Sequence, residues 1–253
     1  MNRILFEHCE RDGQTVALRG RRARHIREVL RAKPGDTLRV GELGGLLGTA
    51  RVESLDGDEA RLAVVLDQAA PEPWIDLLLA LPRPKVLGRL WAQLAALGVG
   101  RIILINAARV ERCYFDTHWI DPAVYTPLLT EGLEQAGATR LPEVRIRRSF
   151  KAYVEDELAR DYAGSPKFLA HPGPAAGTAV AAMSETAQPV VNGAAAAGSG
   201  GPPRPLLAIG PEGGWTSYEL EQLETRGFMR LSLGPRILRT DTACIALLGR
   251  LMT

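Results

Sequence analysis

The sequence predicts an α/β protein in which a small all-β domain precedes a larger domain built on a parallel sheet. Over residues 1–68, short strand candidates alternate with turn signals, and this spacing is typical of a small β-barrel or β-sandwich. After residue 73, apolar strands alternate with helical patterns, which favours a parallel sheet with right-handed crossovers. Near the C-terminus, two strand–loop–helix units follow each other, and such loops meet at the carboxyl edge of a parallel sheet.

The first domain has five strand candidates and one short helix. Turn signals such as Asp12-Gly13 separate the strands, and the helical segment Arg21–Leu30 has one apolar side. Two prolines within residues 69–73 end this pattern and predict a linker. We therefore expect domains at residues 1–70 and 71–253. The strand candidates are Arg3–Phe6, Thr15–Leu18, Thr37–Val40, Leu47–Ser54 and Glu59–Leu66.

The second domain begins with Trp74–Leu81, a continuous apolar strand of the kind that is buried on both faces. Pro84 can open the next helix, which ends near Gly98. Residues 173–205 are rich in Ala, Gly, Pro and Ser and predict a low-complexity insertion with little capacity to order. The other strand candidates are Arg101–Ile105, Glu143–Ile146, Lys167–Ala170, Leu206–Ile209 and Met229–Leu233, and the other helix candidates are Pro122–Ala136, Phe150–Arg160 and segments starting at Thr216 and Thr240.

Composition excludes several classes of protein. The 253 residues include 46% hydrophobic and 24% charged ones, which is typical of a globular protein, and the net charge of +2 gives little sign of nucleic-acid binding. No apolar run approaches the ~18–20 residues of a membrane span. The three cysteines, Cys9, Cys113 and Cys244, lack metal-ligand spacing. We therefore expect a cytoplasmic protein with reduced thiols, no metal and no membrane association, and the N-terminal residues lack a signal-peptide pattern.

A basic cluster marks the first domain. Seven fixed cations and one histidine fall within residues 19–33, and Glu28 is the only acid among them. Such a cluster on a small β-domain is typical of a surface that contacts a phosphate backbone. The alternative is a solvated surface in a chain that uses arginine throughout, but the sequence favours nucleic-acid contact. The candidate RNA-binding residues here are Arg21, Arg22, Arg24, His25, Arg27 and Arg31.

The two C-terminal loops predict a ligand site. The first (residues 210–214) carries one ionisable group, Glu212, and the second (residues 234–239) carries Arg236 and Arg239. Glycines let the backbone approach a ligand closely, and helix N-termini offer free N–H groups. The alternatives are a tight turn with a surface glutamate and a pairing of Asp241 with one of the two arginines. Neither loop matches the dinucleotide or P-loop fingerprint, which argues against a Rossmann oxidoreductase and a nucleotide triphosphatase.

Thr216-Ser217-Tyr218-Glu219 is a capping box, so we expect the helix to start there. His171 follows a strand, where a histidine either contacts a ligand or is simply a surface or capping residue. No serine–histidine, cysteine–histidine or metal constellation is evident in the sequence. An enzyme with these residues would act by binding and orienting its substrate with a few polar groups.

These residues carry a family resemblance. IGPEGGWTSYELE followed by LSLGPRILRTDTA strongly resembles the RsmE family, the 16S ribosomal RNA uridine-N3 methyltransferases of the SPOUT class. The likeness covers nearly the whole chain except the insertion. Supporting matches are His25 to Arg31 with PGD after it, Leu97-Gly98-Val99, Glu111-Arg112, Glu134-Gln135 and Leu141-Pro142-Glu143.

The resemblance implies a PUA-like domain that helps to hold RNA, followed by an α/β domain with a deep trefoil knot. It also implies a homodimer that acts on 16S ribosomal RNA or the small ribosomal subunit, with Arg112 as a further RNA-binding residue. The cofactor would be S-adenosyl-L-methionine, bent against the loops of the knot. Its candidate binding residues are Leu169, His171, Pro172, Ile209, Gly210, Pro211, Gly213, Gly214, Leu231, Leu233, Gly234, Ile237, Leu238, Thr240 and Ala243.

The same resemblance implies roles for the ionisable groups. Arg239 first, and Arg236 second, would stabilise the charge that spreads over uridine when N3 loses its proton. Glu212 would either accept that proton or shape its loop. The chain departs from the family's usual residues at Gln93, Ala96, Ala138 and Asp241. The alternatives are therefore a SPOUT methyltransferase with another RNA target and a non-catalytic RNA-binding homologue.

Overall fold

The structure, a computed structural model, describes residues 3–173 and 204–252. Within these ranges the chain forms two six-stranded sheets, one from residues 4–68 and one from residues 75–231. Each sheet has its own hydrophobic core. Most of the predicted low-complexity insertion (residues 173–205) lies outside the described residues. The boundary between domains at residue 70 stays a prediction.

The N-terminal sheet is mostly antiparallel. Its order is β1-β4-β5-β6-β3-β2, and only β1 and β4 pair in parallel. Buried and exposed residues alternate along β5, as expected for a strand with one face on a core. The strands are β1 (Ile4–Phe6), β2 (Arg11–Asp12), β3 (Thr15–Arg19), β4 (Thr37–Glu42), β5 (Leu47–Asp56) and β6 (Glu59–Gln68).

One helix interrupts this sheet where the sequence predicts it. Helix α1 (Arg21–Arg24) continues as a π-helical turn (His25–Val29). Ala23 and Ile26 are buried against the sheet, whereas Val29 and Leu30 are exposed, so the helix contributes less apolar surface to the core than its sequence suggests. The short strand β2 was not predicted, because two residues carry no periodicity.

The C-terminal sheet is parallel throughout, as predicted. Its order is β12-β10-β11-β7-β8-β9. All six residues of β7 are buried, which confirms that this strand is covered on both faces. The strands are β7 (Ile75–Ala80), β8 (Val99–Ile105), β9 (Glu143–Arg147), β10 (Lys167–Ala170), β11 (Leu206–Ile209) and β12 (Phe228–Leu231).

Helices connect these strands. Helix α4 (Phe150–Ala152) runs through a π-helical turn (Tyr153–Glu157) into α5 (Leu158–Asp161), where the sequence predicts a single helix. The predicted irregular stretch after β8 contains two 3₁₀ turns, Arg112–Asp116 and His118–Ile120. The other helices are α2 (Pro84–Ala96), α3 (Pro122–Ala136), α6 (Ser217–Glu224) and α7 (Thr240–Leu251).

One expectation about the C-terminus needs correction, because the strand predicted at Met229–Leu233 is Phe228–Leu231. Helix α7 packs against α2 and β11. Its Ile245 is 39% exposed, and the adjoining Met252 is 56% exposed. The knot stays a prediction, since the connection after β10 lies largely outside the described residues.

Hydrogen bonds join the domain that contains the N-terminal sheet to the domain that contains the parallel sheet. The Thr139 hydroxyl, which is fully buried, donates to the Gly45 carbonyl at 2.7 Å. Arg140 Nη1 donates to the Gly44 carbonyl at 2.6 Å, and the Arg3 backbone N–H donates to the Glu134 carbonyl at 3.2 Å. Two of these bonds join the segment after α3 to the turn after β4, and the third joins α3 to the residue before β1. Together they fix the orientation of the domains. Among the described helices, none has the length and apolar character needed to cross a membrane.

Candidate functional site

Three adjacent strands, β10, β11 and β12, end at the same edge of the parallel sheet. The loops that follow them are therefore neighbours, and we call the loop of residues 210–214 the glycine loop and that of residues 232–239 the arginine loop. A side chain at Gly210 would place its Cβ 3.0 Å from the indole of Trp215, a residue that is 5% exposed. Glycine is needed there because the loop folds tightly over this ring.

The arginine loop is joined to the end of β10. The Ser232 hydroxyl donates to the Gly173 carbonyl at 2.7 Å and accepts from the Gly234 N–H at 3.1 Å. The His171 N–H donates to the Leu231 carbonyl at 3.1 Å. Gly234 has a φ of +103°, which favours glycine, and open space lies where its Cβ would be. The backbone at this edge is thus exposed to a ligand.

Glu212 supports the glycine loop. Its Oε1 atom accepts a hydrogen bond from the backbone N–H of Arg83, the residue before α2, at 3.2 Å. On the other side of the loop, the Arg109 guanidinium donates to the Gly213 carbonyl. These contacts join the loop to the ends of β7 and β8, which agrees with the loop-shaping role for Glu212.

The predicted capping box is confirmed, and its glutamate does more than cap. Glu219 is 2% exposed, accepts from the Thr216 N–H at 2.8 Å, and also accepts from the Ala108 N–H at 2.7 Å. The second bond fastens the segment after β8 beneath the glycine loop. The sequence did not reveal this bond because its partners are 111 residues apart.

Arg236 and Arg239 are both exposed at the carboxyl edge. Within residues 3–173 and 204–252, neither guanidinium forms an ion pair. The pairing of Asp241 with one of them, considered from the sequence, is wrong: Asp241 Oδ2 lies 2.8 Å from Nη2 of Arg89 on α2. The hydrogen bond from Arg89 lowers the pKa of the Asp241 carboxyl. Both loop arginines are therefore open to an anionic ligand.

The predicted cofactor-binding residues divide by burial. Leu169 and Ile209 lie in the core, at 0% and 2% exposure, so their side chains do not line an open surface. Burial lowers the pKa of His171, and the nearby Arg230 adds to this shift. Of the other predicted residues, Pro211, Leu231 and Thr240 are buried, Gly210, Gly214, Leu233, Gly234 and Ala243 are half-buried, and Pro172, Gly213, Ile237 and Leu238 are exposed.

Sequence reasoning missed polar residues on the loops after β7 and β8. Arg83 and Arg109 contact the glycine loop, and the Tyr114 hydroxyl donates to Glu111 Oε1 at 3.0 Å. These residues also follow strands of the predicted parallel sheet, so their position at strand ends was a usable signal. The neighbouring Arg112, a predicted RNA-binding residue, is exposed.

The basic cluster is only partly available to RNA. Arg22 is held by the Glu10 carboxylate, with Nη1 2.7 Å from Oε2, and Arg27 donates to Glu28 Oε1 at 3.2 Å and to the Gly57 carbonyl. In the part of the chain that the structure describes, Arg21, Arg24 and Arg31 form no ion pair, and His25 is half-buried. The three unpaired arginines are the better candidates for phosphate contact.

No group of three or more histidine, cysteine, aspartate or glutamate residues within the described ranges has the arrangement of a metal site.

Family comparisons agree with the two-sheet architecture. Residues 70–252 match the model of the RNA methyltransferase domain family, and residues 18–65 match that of the RNA methyltransferase PUA domain. The chain is 28% identical over 254 residues to the ribosomal RNA small subunit methyltransferase E of Treponema pallidum, across 97% of this chain and 88% of that protein.

Solved structures show the same fold. A ribosomal RNA small subunit methyltransferase E from Neisseria gonorrhoeae, bound to S-adenosyl methionine, has a TM-score of 0.72 at 22% identity, over 98% of this chain and 95% of that one. The putative methyltransferase Lpg2936 from Legionella pneumophila, in complex with the bound cofactor SAM, has a TM-score of 0.69 at 24% identity, over 99% and 96%. Since the matched family model covers the whole parallel-sheet domain, the chain belongs to the RNA methyltransferase family.

Proposed function

We propose that this protein transfers a methyl group from S-adenosyl-L-methionine to N3 of a specific uridine in 16S ribosomal RNA, either as free RNA or within the small ribosomal subunit. The observation that carries the proposal is the placement of the glycine loop and the arginine loop at one sheet edge. There the backbone beside Gly234 is open, and Arg236 and Arg239 form no ion pair with the residues that the structure describes. Membership of the RNA methyltransferase family and the activity named for its relatives support the proposal.

The residues at this edge fit the donor. Open space beside Gly234, together with the exposed backbone of the glycine loop, leaves N–H and C=O groups available for an adenosine. Leu238, which is 37% exposed, offers an apolar side chain to a flat ring. When bound, S-adenosyl-L-methionine supplies an electrophilic methyl group attached to sulfur. The chain's contribution is to hold that group in line with the acceptor nitrogen.

The arginines act on the acceptor. Uridine N3 loses its proton, either to the Glu212 carboxylate or to bulk water, and the nitrogen lone pair then forms the bond to the methyl carbon as the carbon–sulfur bond breaks. The negative charge left by the proton spreads to the flanking carbonyl oxygens. Arg239, with Arg236 second, stabilises this charge because a guanidinium remains protonated and offers several donors. Stabilisation that grows towards the transition state raises the rate of the chemical step.

Replacing Glu212 by glutamine separates its two candidate roles. Glutamine keeps an oxygen that accepts from the Arg83 N–H, so we expect E212Q to retain methyl transfer within a few-fold of the parent, whereas E212A loses more because the loop is released. A proton acceptor would instead lose about 10²–10⁴-fold on either change. Single-turnover rates with saturating donor measure the difference. A collapse of the rate in E212Q would assign the proton transfer to Glu212.

The domains divide the work. Residues 1–70 hold the RNA through the PUA-like fold, with Arg21, Arg24 and Arg31 on phosphates, and residues 71–253 carry out the transfer.

The protein acts in the cytoplasm, where ribosomal subunits assemble. It works as a homodimer, since Ile237 is 84% exposed on the arginine loop, Ile245 is exposed on α7, and Met252 is exposed directly after that helix. A second chain covering these apolar side chains would also complete the site around the target base.

Charges on the exposed side of α7 should break this dimer. Ile245 and Met252 are seven residues apart and therefore lie on one face of the helix axis. We expect I245D/M252D to sediment as a monomer, with methyl transfer lost and each chain still folded. Sedimentation velocity and circular dichroism measure these properties. The matched control is Val65→Asp, at an exposed position of β6 (59% exposed), which should leave the dimer intact.

The direct test is to incubate the protein with unmodified small-subunit RNA, or with small subunits, and labelled donor, and then to map the modified nucleotide. N3-methyluridine at one position supports the proposal. Methylation of a different RNA points to another target of the same class. Absence of donor binding in calorimetry, together with retained RNA binding, would identify a non-catalytic homologue.

A further inference from the structure

Apart from the loops at the carboxyl edge, a pocket lies between the two domains. Its walls come from β1, α1 and the last turns of α3, and it encloses about 160 Å³. A cavity of about 150 Å³ accommodates one benzene ring, so this pocket has room for a single pyrimidine. The polar side chains that matter to the argument are Arg3, Arg21, Arg22, His25, Glu134 and Gln135.

The pocket is remote from the loops at the carboxyl edge. Helix α3 (Pro122–Ala136) returns the chain from the end of β8 to the start of β9, so its last turns lie towards the amino edge of the sheet. At about 1.5 Å per residue, fifteen helical residues span about 22 Å. A ligand here is therefore a different part of the substrate from the methylated base.

Two of the cations build the walls. Arg22 is engaged by Glu10 and also donates to the Leu5 carbonyl at 3.2 Å, and Arg3 Nη1 donates to the Val40 carbonyl at 3.0 Å. The other two groups, Arg21 and His25, make no ion pair with any residue that the structure describes. The pocket thus has a rigid frame and two cationic or protonatable groups that remain available to a phosphate.

The wall of the pocket that α3 forms carries a carboxylate instead of cations. Glu134 is half-buried, and its backbone carbonyl accepts from the Arg3 N–H at 3.2 Å, which fixes this turn of α3 against β1. Burial raises the pKa of the Glu134 carboxyl, whereas a hydrogen bond from the Leu5 backbone and then the charges of Arg21 and His25 oppose that shift. A carboxylate so placed gains most from a ligand that brings hydrogen-bond donors.

We propose that this pocket binds one unpaired cytidine of the RNA substrate, whose base donates its amino group to Glu134 while its phosphate faces Arg21 and His25. Glutamate accepts from cytosine N4 in direct base readout, and sequence-specific RNA recognition targets unpaired bases that can be splayed out. The inference rests on the proposed function and deepens it, because it assigns substrate selection to a site away from the chemistry. Gln135, exposed beside Glu134, supplies a further amide for the same base edge.

Oligonucleotide binding tests the pocket without requiring catalysis. We expect the parent protein to bind oligocytidylate more tightly than oligouridylate of equal length in filter binding at fixed salt. E134A should abolish this preference, with about a tenfold loss for oligocytidylate, whereas E134Q keeps one acceptor oxygen and should retain part of it. R21A should weaken both oligonucleotides equally, because its contact is to phosphate. Equal affinity of the parent protein for the two oligonucleotides, or a preference that survives undiminished in E134A, would overturn the inference.

The controls separate this inference from the proposed function. R51A removes an exposed arginine of the same domain outside the pocket and should keep the cytidine preference. Thermal unfolding and calorimetry with the donor should be unchanged in E134Q and R21A, and with ribosomal RNA both variants should raise KM while leaving kcat close to the parent value. Failure of the parent protein to methylate ribosomal RNA would count against the function alone, since the oligonucleotide preference is measured independently.

Discussion

Replacing Arg239 by alanine is expected to lower methyl transfer by about 10²–10³-fold, the loss typical of removing one donor that stabilises a developing oxyanion. Arg239 is the residue immediately before α7, and its carbonyl already accepts from the Ala243 N–H at 2.8 Å. Its backbone position is therefore fixed by the helix, while its guanidinium is exposed and forms no ion pair with the described residues. The loss should appear in kcat, because the interaction strengthens as charge develops.

The measurement is a single-turnover rate on small-subunit RNA, with donor affinity determined separately by calorimetry. Donor affinity should stay close to the parent value, since the backbone of the two loops is unchanged. R239K is the informative companion: it keeps the charge but loses the planar fork, so it should recover only part of the rate. R236A should show a smaller loss. Unchanged turnover in R239A would refute the assignment.

Replacing Asp76 by alanine is expected to destabilise the fold by about 3 kcal/mol, the lower end of the range for breaking a buried ion pair. Asp76 lies in β7 and is 2% exposed. It accepts from the Tyr162 hydroxyl at 2.9 Å and from Arg204 Nε at 2.6 Å, immediately before β11. Alanine would leave both donors without this acceptor. Arg204 is 36% exposed and can turn to water, which is why the lower end applies.

Urea unfolding followed by tryptophan fluorescence measures this loss. D76N should lie between D76A and the parent, because the amide keeps one acceptor oxygen but not the charge. The matched control is E72A: Glu72 pairs with Arg140 at 3.2 Å but is 69% exposed, so its loss should stay within about 1 kcal/mol. A change in D76A as small as that in E72A would show that the buried network contributes little to stability.

Several elements were predictable because their signals are local. The apolar run of β7, the proline that opens α2 and the capping box before α6 each reflect a few neighbouring residues, and all three are confirmed. Strand ends were less accurate, as the shift of β12 shows. Its last predicted residues, Ser232 and Leu233, lie outside the ladder, and the Ser232 backbone carbonyl accepts from Arg250 Nη1 at 3.3 Å instead of from a neighbouring strand.

In the candidate site, too, local features were predictable from the sequence and long-range contacts were not. The glycine and arginine loops, with Glu212, Arg236 and Arg239, were evident from the sequence alone, because their residue types follow directly after predicted strands. The partners of the charged groups were not. Asp241 pairs with Arg89 rather than with a loop arginine, although 152 residues separate the two in the chain.

The sequence by itself determined the order of the elements, the parallel sheet and the two loops that meet at its carboxyl edge, since periodicity and turn chemistry act over short distances. Only the tertiary structure decided which charges are neutralised and which stay open: Arg22 is paired and Arg21 is not, and Glu134 faces a pocket between domains. The physical reason is that ion pairing and burial depend on which distant elements pack together, and that packing is not written in any local pattern.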